Sequence, residues 1–160
     1  MNDATTNADH ARLPLRRDRH GRGVRGPVMP VAVPRYRSRS MDFDRAVLDA
    51  YAPLHNRFFH QLAGVDLAVD TIPRMRLSSD MIMPDEIFAD GPVPLGRVLQ
   101  AGVDRAGNPT RARIVVFRMP VEQRAVNAVE RAELLTMVLT ALVAHYLNLD
   151  PRDIDPSFQY

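Results

Sequence analysis

Five histidines, His10, His20, His55, His60 and His145, are the side chains of this chain best suited to hold a metal or move a proton. His55 and His60 stand five residues apart, about 140° around a helix of 3.6 residues per turn. Two histidines that grip one zinc ion from a helix need i, i+4 spacing, so this pair reads as two partly exposed polar residues. His145 is solitary within an apolar stretch, and zinc takes three or four protein ligands; alone it reads as a hydrogen-bonded boundary residue. Cysteine is absent, which excludes disulfides, thiolate nucleophiles and every Cys-containing zinc site. All 21 basic residues are arginine. Lysine Schiff-base chemistry and the phosphate-reaching lysine of a P-loop are therefore excluded. The serines form no GxSxG and the glycines no GxGxxG opening a helix after a strand. Asp85, Glu86 and Asp90 cluster without EF-hand spacing, as solvated loop acids do.

A second group with chemical potential is Arg16, Arg17, Arg19, His20, Arg22 and Arg25, interspersed with Gly21, Gly23 and Gly26. Arginines on a flexible backbone attract phosphate without sequence specificity, the basis of nonspecific RNA or DNA binding. No aromatic residue interleaves them before Tyr36, so base stacking is missing and a solubilising tail is the competing reading. Residues 1–40 hold nine Arg against three Asp, a net of +6, while residues 41–160 hold twelve Arg against sixteen Asp or Glu, a net of −4. The first segment has too little apolar surface to offset its ordering entropy, which predicts a disordered basic arm over 1–40 and one domain over 41–160. No run approaches the ~18 apolar residues of a membrane span. The stretch from Pro27 to Pro34 is too short, and too broken at Pro30, for a signal-peptide core. A cytoplasmic location is the resulting expectation.

These groups must be positioned by the elements that periodicity predicts. Phe43, Val47, Ala50, Leu54, Phe58 and Leu62 recur at three- and four-residue steps after Ser40 or Asp42 as N-cap, with Gly64 just past the end. That is an amphipathic helix which Pro53 should kink or divide. Val65 to Ile72 alternates as a half-buried strand, and the Pro- and Met-rich stretch from Pro73 to Pro94 reads as a long surface loop. Strands at 98–103 and 112–118 flank Asp104, Gly107, Asn108 and Pro109 as a hairpin, and the continuous run Ile114 to Phe117 predicts burial on both faces. Pro120 opens a short helical turn. Asn127 with Glu130 begins the longest helix, which is apolar nearly all round from Ala128 to Leu149 and therefore central, with Asn148 as its C-cap. The class is α+β, two main helices packed on a small mixed sheet.

Four stretches together resemble the bacterial zincin-like metallopeptidases, minimal single-domain proteins: FDRAVLDAYAPL followed by LAGVDLAVDTIP, the PLGR of Pro94 to Arg97, ARIVVFRMPVEQRA, and ELLTMVLTALVAHYLNLDP. The arm segment RDRHGRGVRGP, Arg17 to Pro27, is similar to that of a subgroup from GC-rich bacteria. The resemblance implies an HExxH motif on the last helix, then a glycine and an acidic ligand, with two histidines gripping zinc and the glutamate deprotonating its water. Laid over this helix, the first histidine falls at Ala141, the glutamate at Leu142, the second histidine at His145, the glycine at Asn148 and the third ligand near Pro151. Only His145 matches, a relic of the metal set, and Leu142 has no proton-accepting atom. Zinc, the family's cofactor, is not expected here, and Asp150 and Asp153 are the nearest acids for a shifted ligand. The expectation is an inactive member serving as a binding or regulatory scaffold for an unknown protein partner, with no membrane association. The alternatives are nucleic-acid binding through the arm and a zinc peptidase with relocated ligands.

Overall fold

Asn127 fixes where the central helix begins. Its side-chain oxygen accepts the Glu130 N–H at 2.9 Å, and the Glu130 carboxylate returns to accept the Val126 N–H at 2.9 Å. The pair is a variant of the capping box that the spacing predicts, with the carboxylate taking the N–H one residue ahead of the N-cap, and it satisfies the orphaned Glu130 N–H at the helix start. The helix that follows, α4 (Ala128–Leu147), ends where Asn148 turns left-handed at φ 54, with the Leu149 N–H bonded back to the Ala144 carbonyl at 2.9 Å. The computed structural model describes residues 38–74 and 86–159.

Ahead of α4 come α1 (Arg39–Arg57), α2 (Phe59–Leu62), β1 (Val65–Asp70), β2 (Ile87–Asp90), β3 (Val93–Leu99), β4 (Gly102–Val103), β5 (Pro109–Thr110), β6 (Ala112–Phe117) and α3 (Arg118–Arg124); α5 (Pro151–Ile154) follows it. The main sheet is mixed, in the order β1-β6-β3-β2. β1 runs parallel to β6 with Leu67 beside Ile114, whereas β3 is antiparallel to β6 with Gly96 beside Val116 and Val98 beside Ile114.

Helices α1 and α4 cover one face of this sheet. Phe43, Val47, Tyr51 and Leu54 of α1 meet Leu135, Leu139 and Leu142 of α4 over Ile114, Val116 and Val98, all buried in one core. Each fully buried leucine stabilises the fold by roughly 1.5–3 kcal/mol relative to an exposed one. Val115 and Phe117 alternate with these positions and are also buried. The continuous apolar run of β6 thus reflects a central strand covered on both faces.

Three expectations need correction. The first helix is divided at Phe58, not at Pro53. Pro53 lies on the exposed side together with Asp49, whose carbonyl loses its partner and can be hydrated instead. The stretch from Pro73 to Pro94 is not all loop, because it contains β2, joined to β3 by the two-residue connection Gly91-Pro92 with Gly91 at φ 56. A strand over 98–103 is also wrong: β3 starts at Val93 and stops at Leu99, while Gly102 and Val103 pair with Thr110 and Pro109 in a separate two-stranded ladder. That ladder closes around Asp104, whose carboxylate accepts the N–H groups of Ala106 and Asn108, both at 2.9 Å. Among the described residues no helix is long and apolar enough to cross a membrane.

Candidate functional site

On α4, residues four apart form a slanted ridge, and Glu133, Met137, Ala141 and His145 make one such ridge. Its upper end carries the two positions at which a zinc helix places its histidines. Ala141 and His145 are both half-buried, but Ala141 offers no donor atom. Leu142, at the general-base position, is turned into the core with 2% of its surface exposed.

What it meets there is the backbone of β3. A Cβ on Gly96 would stand 2.7 Å from Leu142 Cδ1, 2.8 Å from the Val115 carbonyl oxygen and 3.3 Å from Val138 Cγ1. Gly96, the glycine of the PLGR stretch, is thus required by close approach: helix and strand touch at Leu142. Tyr51 of α1 belongs to the same buried core, with its hydroxyl buried and unpartnered among the described residues. Burial pushes its phenol above the ordinary value, and the nearby Tyr146 phenol adds to the rise.

Further along, the acids and turns are engaged in other tasks. Asn148 supplies the left-handed turn at the glycine position, and Pro151 opens α5 where a third ligand would stand. The Asp150 carboxylate caps α5 by accepting the Arg152 N–H at 2.8 Å. The carbonyls of Asp153 and Ile154 accept from Arg57 at 3.2 and 2.7 Å, tying α5 to the end of α1. Among the described residues the donor set around His145 therefore does not fit a zinc ion: one imidazole is present, with no ligating side chain at Ala141 or Pro151. Among the described residues no group of three or more His, Asp or Glu could hold a metal.

The other residues singled out by sequence are dispersed. His55 packs between Tyr51 and Phe59, ring centroids 5.7 and 5.5 Å away, while His60 lies beyond the break at Phe58 with its ring 5.6 Å from Phe59. Of the loop acids, Glu86 pairs with Arg97 at 3.5 Å and Asp90 with Arg124 at 2.6 Å. Asp85 and the arm arginines Arg16, Arg17, Arg19, Arg22 and Arg25 lie outside the described residues.

Sequence reading missed the groove at the lower end of the ridge. A trough of about 680 Å³ lies between α4 and the β2–β3 hairpin. Phe88, Leu95, Leu134 and Met137 form its floor, and Asp90, Arg124, Glu130 and Glu133 its rim. Leu134 and Met137 read as core in the sequence because α4 is apolar nearly all round, yet both are half-buried beside the trough. The only signal was two glutamates placed beside them.

These features can be set against known proteins. No curated protein matches the chain. A family model described as zincin-like metallopeptidase matches residues 62–158, which takes in every strand of the sheet together with α3, α4 and α5. Because that match covers more than half of the sequence, the chain belongs to the zincin-like metallopeptidase family.

Proposed function

We propose that this protein retains the zincin-like framework without a hydrolytic centre and acts by binding. The observation that carries this reading is Leu142, an apolar side chain packed on the β3 backbone at the position where the family's chemistry needs a proton acceptor. Ala141 and Pro151, at two of the three ligand positions, support it, because neither side chain can coordinate a metal.

The test is metal content and hydrolysis measured on the purified full chain. Zinc should be far below one equivalent, unchanged by His145→Ala, and added zinc should produce no cleavage of unstructured protein substrates. One equivalent of zinc lost on His145→Ala, together with peptide hydrolysis, would establish instead a peptidase with relocated ligands. A second reading is favoured by the charge split: the net +6 of residues 1–40 against the net −4 of the rest points to nonspecific nucleic-acid binding by the arm. It requires steeply salt-dependent affinity for RNA or DNA that vanishes when residues 1–40 are removed. Binding that survives the truncation would refute it.

A further inference from the structure

The trough's rim carries three carboxylates and one guanidinium, which do not cancel. The Asp90 carboxylate is neutralised by Arg124 at 2.6 Å. Glu130 spends its carboxylate on the helix cap, accepting the Val126 N–H at 2.9 Å and the Asn127 side-chain amide at 3.3 Å, and has no ion-pair partner among the described residues. Glu133, one turn further along α4, has no ion-pair partner among the described residues. Two uncompensated negative charges therefore stand above an apolar floor. Both side chains are exposed to water, and Glu130 lies in the first turn of α4, where the helix dipole favours an anion. The trough is open along one side and would leave a small molecule largely hydrated, unlike pockets that bury most of a ligand. A polypeptide brings its own surface to close it.

We propose that this trough docks a peptide segment of a partner protein that presents an arginine between apolar residues. The arginine stem would lie on Leu134 and Met137 while its guanidinium reaches the Glu133 carboxylate, and the flanking apolar side chains would cover Phe88. Arginine suits this rim better than lysine because its planar fork accepts a carboxylate on one edge while the stem stays on apolar surface. The proposal rests on the reading that the domain acts by binding, and it names the ligand class.

The experiment uses the full chain and two fluorescein-labelled, end-blocked peptides, one with arginine flanked by leucines and one with the isosteric but neutral citrulline in its place. Fluorescence anisotropy should give an affinity roughly three- to fivefold higher for the arginine peptide, as one partly exposed charge pair provides. Glu133→Gln should abolish that ratio while leaving the citrulline affinity unchanged. Met137→Gln should weaken both peptides alike. Both residues lie at the surface, and an unchanged unfolding midpoint confirms that each variant folds. Equal affinities for the two peptides, a ratio that survives Glu133→Gln, or no saturation at millimolar peptide would each overturn the proposal. Mass spectrometry of the bound peptide separates this inference from the reading beneath it. A cleaved peptide would refute the noncatalytic function and leave the arginine preference standing. An intact peptide without preference would do the reverse.

Discussion

Leu142→Glu places a proton acceptor at the position where an active zincin carries one, and the structure sets what that should cost. Leu142 is 2% exposed, and its Cδ1 occupies the space left by the missing Cβ of Gly96. Removing that apolar contact forfeits roughly 1.5–3 kcal/mol at any pH. The carboxyl brings a second penalty, because among the described residues the buried polar or charged side chains amount to Thr140 alone and include no cation. Burial disfavours the ionised form, so the folded state would raise the carboxyl pKa above its unfolded value. The penalty is then absent below the unfolded pKa, grows as pH rises through the interval between the two values, and is constant above the folded one. A rise of about two to three pH units, usual for a buried carboxyl, gives about 3–4 kcal/mol at pH 8 but about 1 kcal/mol at pH 5. Together the two terms take about 5–7 kcal/mol at pH 8, a large part of the ~5–15 kcal/mol that a domain has.

The assay is urea unfolding of the parent, Leu142→Glu and Leu142→Gln at both pH values. The glutamine variant loses the apolar contact without gaining a titrating group. Its deficit should be the same at pH 5 and pH 8, while that of the glutamate variant grows by about 2–3 kcal/mol between them. A glutamate variant as stable as the parent at both pH values would mean that position 142 faces water, and the closed-site reading would have to be abandoned.

Two further outcomes follow from the same geometry. Gly96→Ala should destabilise by about 1–3 kcal/mol through overpacking, and adding Leu142→Ala should relieve it only in part, because the Val115 carbonyl oxygen remains 2.8 Å from the new Cβ; a neutral Gly96→Ala would disprove the close approach. The Asp104 carboxyl, held below the ordinary range first by the Asn108 N–H and then by further turn hydrogen bonds, should titrate by NMR below a free aspartate. Its contribution to the hairpin tip is present above the unfolded pKa and is lost as pH falls through the folded one, so the protection of the Ala106 and Asn108 amides, relative to an unstructured chain at the same pH, should fall only in acid.

Much of the fold is legible where one local rule decides the outcome. Asn127, Glu130 and Asn148 mark the ends of α4 because a capping box and a left-handed cap need those residue types at that spacing. The apolar run of β6 is legible for the same reason. The β2–β3 hairpin is not. Ile87 to Asp90 is too short to establish a period, Pro94 inside β3 argues against a strand, and the register shifts between Phe88 and Ala89, where Leu95, next to Pro94, is the extra residue. A bulge accommodates a proline that the ladder could not, which no period-2 pattern anticipates. The trough escaped for a different reason. Whether Leu134 and Met137 close a core or floor a groove depends on how far the β2–β3 hairpin stands from α4, and that is a tertiary distance with no local signature.

The closed site is likewise the product of several elements together. A leucine at position 142 would not by itself fill a metal pocket, since a cleft could remain around it. It fills the space because β3 presents a glycine there and lets the helix descend onto the Val115 carbonyl oxygen. Restoring Ala141→His and Leu142→Glu together would therefore bring back the motif letters without the room they need, because Gly96 has no side chain left to shorten and strand and helix would have to separate. The third ligand is no closer, with Pro151 at the first position of α5 and the Asp150 carboxylate committed to the Arg152 N–H. Freeing Asp150 would uncap the helix that Arg57 ties to α1. Binding zinc in the family's manner would thus require coordinated changes on β3, α4 and α5. The trough at the other end of the α4 ridge requires none of them, so the binding function proposed for it does not depend on a metal.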